Sequence, residues 1–212
     1  MRFKVVDSYW RGMWAYSSAW EKAASNFDDL LSEEPEEWRS LFESSQHIAD
    51  SDPASAFRLN VEAAAAGLVC SMETAGWHYW TGTGVIADKS LALDYYHRAV
   101  LGGSWLATIG YARLLAEAGR HDDCERVLND GIAAGFAPAY FWLAWLRYEQ
   151  SRTSDVCRKV RPLLETAARM GHPAAKEFLA SWMANGKLGL LEIPRGCVLL
   201  WRQIREIVDQ YE

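Results

Sequence analysis

The sequence of 212 residues is long enough for one substantial domain or two small ones. Half of the residues are hydrophobic and 24% are charged, a composition that excludes a chain disordered throughout. The net charge of −6 argues against general binding to nucleic acid or anionic membranes, because both need a basic surface, so we expect neither partner.

The first predicted element is an acidic helical cap over residues 1–51. A stripe of mostly apolar residues predicts one helix over residues 8–31, formed by Trp10, Met13, Trp14, Ser17, Trp20, Ala24, Phe27 and Leu31. A shorter helix is predicted over residues 35–49, with its acidic start in residues 32–37. Residues 1–55 carry the whole net charge. These acids either suit the positive ends of helices or form a docking face for a basic partner.

Residues 52–186 contain an internal repeat. Glycines that follow Ala-rich stretches recur every 32 to 36 residues, at Gly67, Gly103, Gly135 and Gly171. Small residues such as Ala112 and Ala144 recur nine positions after each glycine, where closely crossing helices would exclude a bulky side chain. Apolar residues between the glycines follow helical spacing, so each repeat predicts two helices.

The ends of the predicted helices carry recognisable residues. The repeat glycines suit the left-handed backbone that ends a helix. Asp52, Asp88 and Asp155 are predicted N-caps, and Pro53 takes the favoured first helical position. Strand patterns are nearly absent, apart from a brief alternation at residues 3–6. The predicted fold is therefore all-α, an α-solenoid of stacked antiparallel helix pairs.

The last predicted element, over residues 187–212, is a loop followed by a capping helix. The loop covers residues 185–196, with Pro194 close to the helix start. Apolar residues at helical spacing mark the helix, and they are Val198, Leu199, Trp201, Ile204, Ile207, Val208 and Tyr211. Charged residues such as Arg202 and Arg205 supply the polar outer face that a terminal repeat needs.

Residues 79–103 resemble the Sel-1-like repeat, a relative of the tetratricopeptide repeat. They read Tyr-Trp-Thr-Gly-Thr-Gly-Val at residues 79–85, followed by Asp88, Ala92, Tyr95, Tyr96, Ala99 and Gly103. The match is specific over residues 71–107 and partial over 52–70 and 108–186, where the Gly-x-Gly turn is lost. The resemblance implies a right-handed superhelix that binds other proteins, and it brings no shared catalytic residues.

Motifs for catalysis or for cofactor binding are weak. Gly82–Ala87 matches the dinucleotide pattern G-x-G-x-x-A, but a predicted helix precedes it where that motif needs a strand. The five histidines are scattered over different repeats, and His78 occupies an apolar column typical of the core. His121 is predicted at a polar helix start. We therefore predict no catalytic residues, no metal site and no cofactor.

The cysteines and the N-terminal sequence bear on the compartment. Four scattered cysteines, at positions 70, 124, 157 and 197, follow no metal-ligand spacing and predict small core residues in a reducing cytoplasm. No apolar run approaches the roughly 18 residues of a membrane span, and the charged first residues are unlike a signal peptide. We expect a cytoplasmic protein.

The first helix of each predicted repeat leaves one face free after its two packing stripes. The residues of that face, spaced i, i+4, i+7, are Glu73, Trp77, Trp80; Ile109, Arg113, Ala116; Phe141, Trp145, Tyr148; and Glu177, Ser181, Ala184, with Trp142 at the border. Stacked repeats would align them along a concave groove, where aromatics and arginine are typical of protein interfaces. The alternative is a tight superhelix in which these aromatics pack between repeats.

The predicted function is non-catalytic binding of a protein or peptide in this groove. The acidic N-terminal quarter favours a basic partner. Bacterial chains that resemble this family include immunity proteins, so the resemblance implies an immunity or antitoxin role against a cognate toxin. The alternative is a scaffold or regulatory adaptor, and an enzyme would need a constellation that the sequence does not present.

Overall fold

A computed structural model describes residues 19–209, with all their side chains except those of residues 204 and 206–209. Residues 19–23 are helical, and no strand occurs among the described residues, in agreement with the predicted all-α fold. The helices that follow are α1 (Phe27–Glu33), α2 (Glu36–Ile48), α3 (Pro53–Ala65), α4 (Val69–Thr81), α5 (Lys89–Leu101), α6 (Trp105–Glu117), α7 (His121–Ala133), α8 (Pro138–Ser151), α9 (Ser154–Arg169), α10 (Pro173–Ala184) and α11 (Ile193–Asp209).

The described residues divide into two compact units. Lys22–Phe136 form the central unit, which contains α1–α7. Residues 19–21 together with residues 137–209 form the split unit, which contains α8–α11. Within each unit, helices that follow one another from α2 onward pack against each other in chain order, as helix pairs of a solenoid do. The boundaries predicted from the sequence, after residues 51 and 186, stay a prediction.

The helix caps match the sequence pattern at two of the three predicted aspartates. The Asp52 carboxylate accepts a hydrogen bond from Ser55 N at 3.0 Å, and Pro53 begins α3. The Asp88 carboxylate accepts hydrogen bonds from Ser90 N and Leu91 N at the start of α5. The prediction for Asp155 is wrong, because the Thr153 hydroxyl caps α9 and Asp155 lies in the first turn.

The repeat glycines and the small residues behave as the repeat predicts. All four repeat glycines have a positive φ, between +91° and +111°, which residues with a side chain rarely adopt. Ala112 and Ala144 are buried. In the same column a Cβ on Gly76 would lie only 3.0 Å from the Tyr96 ring of α5. Small side chains therefore let the helices of a pair approach closely.

The single helix predicted over residues 8–31 is wrong in its described part. The helix that includes Trp20 stops, residues 24–26 form a turn, and α1 begins at Phe27. The physical reason is Asn26, whose amide nitrogen donates to Gly103 O at 2.8 Å while its amide oxygen accepts from Trp105 N at 3.0 Å. Outside the described residues lie the alternation at residues 3–6 and four stripe residues, which are Trp10, Met13, Trp14 and Ser17.

The C-terminal helix begins earlier than predicted. A 3-10 turn at Leu190–Glu192 leads directly into α11, so the predicted loop ends before Pro194. Gly196 lies directly against the backbone of α10 at Ala184, a contact that leaves no room for a Cβ. Because α11 turns Gly196 inward, Cys197 is exposed, and its prediction as a core residue is wrong. Tyr211 and the side chains of Ile204, Ile207 and Val208 lie outside the described part of the chain.

Candidate functional site

In the central unit, the predicted face lies on α4 and α6, the first helices of neighbouring pairs. Trp77 on α4 is 44% exposed, and one turn further on the Trp80 ring meets Arg113 of α6. The centre of the Arg113 guanidinium lies 4.4 Å from the centroid of the Trp80 ring, a cation–π contact. Ile109, in contrast, is buried. The structure therefore brings Trp77, Trp80 and Arg113 together and places Ile109 in the core.

Glu73 has a structural contact as well as a place on this face. Its carboxylate oxygen Oε2 accepts a hydrogen bond of 2.8 Å from the Ser104 hydroxyl, and that hydroxyl in turn accepts from Ala107 N as the N-cap of α6. Burial raises the pKa of Glu73 from its ordinary value of 4.5 to about 7, against the opposing effects of the Ser104 hydrogen bond and of Lys22. Glu73 thus helps to fix α6 against α4.

In the split unit, the predicted face lies on α8 and α10. Phe141 is fully buried and stacks on the His172 ring, with 4.3 Å between the ring centroids. Trp145 and Tyr148 lie further along α8, where Trp145 is partly exposed and Tyr148 is buried. On α10, Glu177, Ser181 and Ala184 of the predicted face are all partly exposed. Ala116, the remaining residue of this face, lies on α6 of the central unit and is also partly exposed.

The eight candidate residues are shared between the two units. Trp77 and Arg113 belong to the central unit, whereas Trp145 and Tyr148 belong to the split unit. That both sets act as one surface stays a prediction. In both units, however, part of the predicted face packs in the core, as Ile109 and Phe141 do, which agrees with the alternative of packing between repeats for these two residues.

Sequence reasoning missed a buried polar cluster in the split unit. Glu21 is 4% exposed, and its oxygen Oε1 accepts hydrogen bonds from Trp142 Nε1 at 2.8 Å and from His172 Nε2 at 3.1 Å. His172 Nδ1 accepts from Ala175 N as the N-cap of α10, which leaves the imidazole proton on Nε2, facing Glu21. The position of His172 directly after a repeat glycine, where Ser104 also stands, could have indicated a cap. No sequence signal pointed to Glu21.

A pocket of about 400 Å³ opens between α8 and α10. Its apolar walls are Trp145 and Tyr148 from α8 and Phe178 and Trp182 from α10. The Trp145 and Phe178 rings meet edge to face at 5.0 Å, and the Tyr148 and Trp182 centroids are 4.7 Å apart. The predicted face therefore supplies half of an aromatic pocket, and the other half comes from residues that the prediction did not include.

The rim of the pocket carries charges. Lys187 Nζ donates a 2.7 Å hydrogen bond to the Tyr148 hydroxyl and lies 5.0 Å from the centroid of the Tyr148 ring. Arg152 pairs with Glu149 at the end of α8. Arg152 is also the one non-glycine residue with a positive φ in the described chain, at +47°, because it ends α8 in the left-handed conformation, with Arg152 N donating to Tyr148 O.

The described residues offer little for catalysis. Burial raises the pKa of the Cys70 and Cys124 thiols to about 12, which removes the thiolate that a nucleophile needs. His78 is buried, and its Nδ1 donates to the Thr83 carbonyl at 2.6 Å, as expected for a core histidine. Among the side chains that the structure describes, no three of His, Cys, Asp or Glu are grouped to hold a metal. None of the described helices is both long and apolar enough to cross a membrane.

Comparisons with known proteins support the repeat fold. Neither a protein-family model nor a curated protein matches the sequence. A Sel1 repeat protein from Oxalobacter formigenes has a similar structure, with a TM-score of 0.63 and 17% identity over 78% of this chain and 73% of that one. The antigen c5321, a protective antigen of uropathogenic Escherichia coli with an SLR fold, matches with a TM-score of 0.62 and 16% identity.

The matched regions differ in how much of each relative they cover. The match to c5321 covers 78% of this chain but only 38% of c5321. A Pseudomonas aeruginosa protein matches with a TM-score of 0.53 and 19% identity, over 78% of this chain and 64% of its own. At these identities the comparisons define the fold alone. The fold predicted from the sequence, an all-α solenoid like that of Sel1 repeat proteins, is confirmed.

Proposed function

We propose that this chain is a non-catalytic helical-repeat protein that binds another protein through the first helices of its repeats. The proposal is carried by Trp77, which is 44% exposed one turn from the contact between Trp80 and Arg113. Tryptophan and arginine dominate the binding energy of many interfaces. Tryptophan offers a large contact area with only two side-chain torsions, and the planar guanidinium of arginine offers five hydrogen-bond donors and stacks on aromatic rings. The exposed Trp77 lies one helical turn from Trp80, which contacts the exposed Arg113 of the neighbouring repeat, and this cluster supports a role in recognition.

A photo-crosslinking residue placed at position 77 of the full chain would capture the partner, whose affinity can then be measured with defined variants. We expect Trp77→Ala to weaken binding by about thirtyfold or more, the usual effect of truncating a hot-spot aromatic. Leu101→Ala is the matched control, because Leu101 is a 74% exposed apolar residue on the second helix of its pair. Equal losses for both variants, or unchanged affinity of folded Trp77→Ala, would contradict the proposal.

A basic partner surface is the second part of the proposal. The acids Asp28, Asp29, Glu33, Glu36 and Glu37 are exposed on α1 and α2, with Asp28, Asp29, Glu36 and Glu37 in first turns. Replacing Asp28 and Asp29 with lysine should slow association and remove much of its salt dependence. Asp122→Lys together with Asp130→Lys changes the charge equally on α7 and should leave both properties unchanged.

For the biological role we propose an immunity or antitoxin protein that neutralises a cognate toxin in the cytoplasm. The buried, unpaired thiols of Cys70, Cys124 and Cys157 support a reducing compartment. Co-expression should suppress the toxicity of the captured partner, and the Trp77→Ala variant should fail to do so. A non-toxic partner bound together with a second protein would instead support a scaffold or regulatory adaptor.

A further inference from the structure

The aromatic pocket of the split unit contains a cation without a carboxylate partner. Among the described residues, no carboxylate oxygen lies within 4 Å of Lys187 Nζ, whose hydrogen bond goes to the neutral hydroxyl of Tyr148. The other charges that line the pocket, Arg152 and Glu149, are paired with each other. The pocket therefore has a surplus positive charge beside aromatic walls.

The backbone holds this cation in place. Gly186, with φ of +70°, follows the end of α10, and Gly186 N donates to Met183 O at 3.0 Å. Lys187 N donates to Trp182 O at 2.9 Å, which completes the Schellman motif that fixes the chain after a helix. The Lys187 ammonium then lies over the rings of Tyr148 and Trp182, 5.0 and 5.9 Å from their centroids. A cation fixed in this way binds an anion without first losing the freedom of a mobile loop.

From this arrangement we infer that the pocket binds an acidic side chain of a partner protein, an aspartate or glutamate flanked by an aromatic or large aliphatic residue. The carboxylate would accept hydrogen bonds from Lys187 Nζ, which has two further protons to donate. The flanking residue would lie against Trp145 and Phe178. A volume of about 400 Å³ is at the small end of binding pockets and suits one or two side chains rather than a helix.

This inference rests on the proposed function and deepens it, since it names the chemistry that one part of the partner presents. It is compatible with a basic partner surface at the acidic helices α1 and α2, because the two features lie on different residues. At the pocket itself, however, the inference predicts an acidic and not a basic partner segment, because Lys187 would repel a lysine of the partner.

The test is selection from a displayed library of random peptides whose two ends are both fused, so that no terminal carboxylate is free. The full chain is the target, as wild type, as Lys187→Met, as Lys187→Arg and as Lys176→Met. Lys176→Met is the matched control, because Lys176 is an exposed lysine of α10 that does not line the pocket. Thermal melting of each variant establishes that it is folded.

We expect wild type and the control to enrich peptides with an acid beside an aromatic or large aliphatic residue. Lys187→Met should bind the same peptides about tenfold more weakly or worse, the effect of losing a hydrogen bond to a charged group. Lys187→Arg, which keeps the charge, should retain the preference. A charge reversal, Lys187→Glu, should select lysine or arginine in place of the acid.

Other outcomes separate this inference from the proposed function. Enrichment of basic or uncharged peptides, or equal binding by folded Lys187→Met, would overturn the acidic specificity and leave a protein-binding role intact. Failure of every variant to enrich any peptide would overturn the inference and would also count against the proposed function.

Discussion

Gly84 shows how a single residue fixes the turn between two helices. Its φ is +72°, and a Cβ at this position would collide with the Pro53 carbonyl oxygen at the start of α3. Gly119 has nearly the same backbone, with φ of +74°, but open space around it. The two glycines therefore separate the effect of backbone conformation from the effect of close packing.

We predict that Gly119→Ala lowers the free energy of unfolding by about 1–2 kcal/mol, the strain of a left-handed alanine. Gly84→Ala should lower it by about 1–3 kcal/mol more, because the turn must also move away from α3. Denaturant titration of both variants measures the difference. Equal destabilisation would mean that the turn moves freely and that its contact with α3 carries no energy.

The second residue-scale prediction concerns Glu73 and pH. Burial raises the pKa of its carboxyl from 4.5 to about 7, so between these values the folded state holds a proton that the unfolded state has lost. The free energy of unfolding should therefore fall as the pH rises from about 4.5 to about 7. Glu73→Gln should remove this fall, so that its stability relative to wild type increases with pH.

The measurement is a series of denaturant titrations across that pH range. Glu62→Gln replaces an exposed glutamate of α3 and serves as the matched control. A constant stability difference between Glu73→Gln and wild type at every pH would contradict a raised pKa for Glu73.

At the scale of single elements, residues 21–27 contact repeat helices in both units through polar groups. In the central unit, Asn26 holds the start of α6, and the Cys70 thiol on α4 lies 3.7 Å from the Phe27 carbonyl oxygen. In the split unit, Glu21 reaches α8 and α10 through Trp142 and His172. These elements are joined by polar side-chain contacts, partly buried at Asn26 and buried at Glu21.

We predict that Glu21→Ala lowers the free energy of unfolding by about 3 kcal/mol or more, because His172 and Trp142 Nε1 are then buried without their acceptor. Glu21→Gln keeps an oxygen acceptor and should cost less. Glu33→Ala, at an exposed acid of α1, is the control and should change stability by less than about 0.5 kcal/mol. An effect of Glu21→Ala as small as the control would show that the cluster is not coupled to folding.

The same cluster explains what the sequence could and could not predict about the elements. Helix pairs, repeat glycines and the caps at Asp52 and Asp88 depend on neighbours within a few residues, so periodicity and residue type reveal them. The break at residues 24–26 and the role of Glu21 depend on partners far away in the sequence. A lone acid in a helical stripe carries no signal of such a partner.

The candidate site also has a part that follows from local sequence spacing and a part that depends on distant contacts. The repeat spacing places Trp80 and Arg113 in neighbouring columns, and the two side chains are in contact because they follow the geometry of one helix and its neighbouring repeat. That they bind a partner stays a prediction. Spacing could not decide exposure, and Phe141 and Ile109 are buried. Lys187 was not predicted, since it comes from a turn outside the helical columns and reaches Tyr148 through the fold alone.

For the whole molecule, far-ultraviolet circular dichroism should show a predominantly helical spectrum with no sheet contribution. The described chain is built from helices with short turns, and solved structures of Sel1-like repeats share its fold. Thermal unfolding followed by the same signal gives the reference for every variant above. A sheet component in the spectrum of the folded protein would contradict the fold.

The contact between Glu21 and His172 joins residues that are 151 positions apart in the sequence. Repeat proteins whose contacts all lie between neighbours can begin to fold at any repeat, and the structure spreads from there. The split unit cannot be completed in that way, because closing so long a loop costs chain entropy that only finished packing can offset. During synthesis, Glu21 leaves the ribosome before α8 and α10, yet it reaches its buried position only after α10 has been made. A residue from the beginning of the described chain is thus among the last to pack into the folded structure.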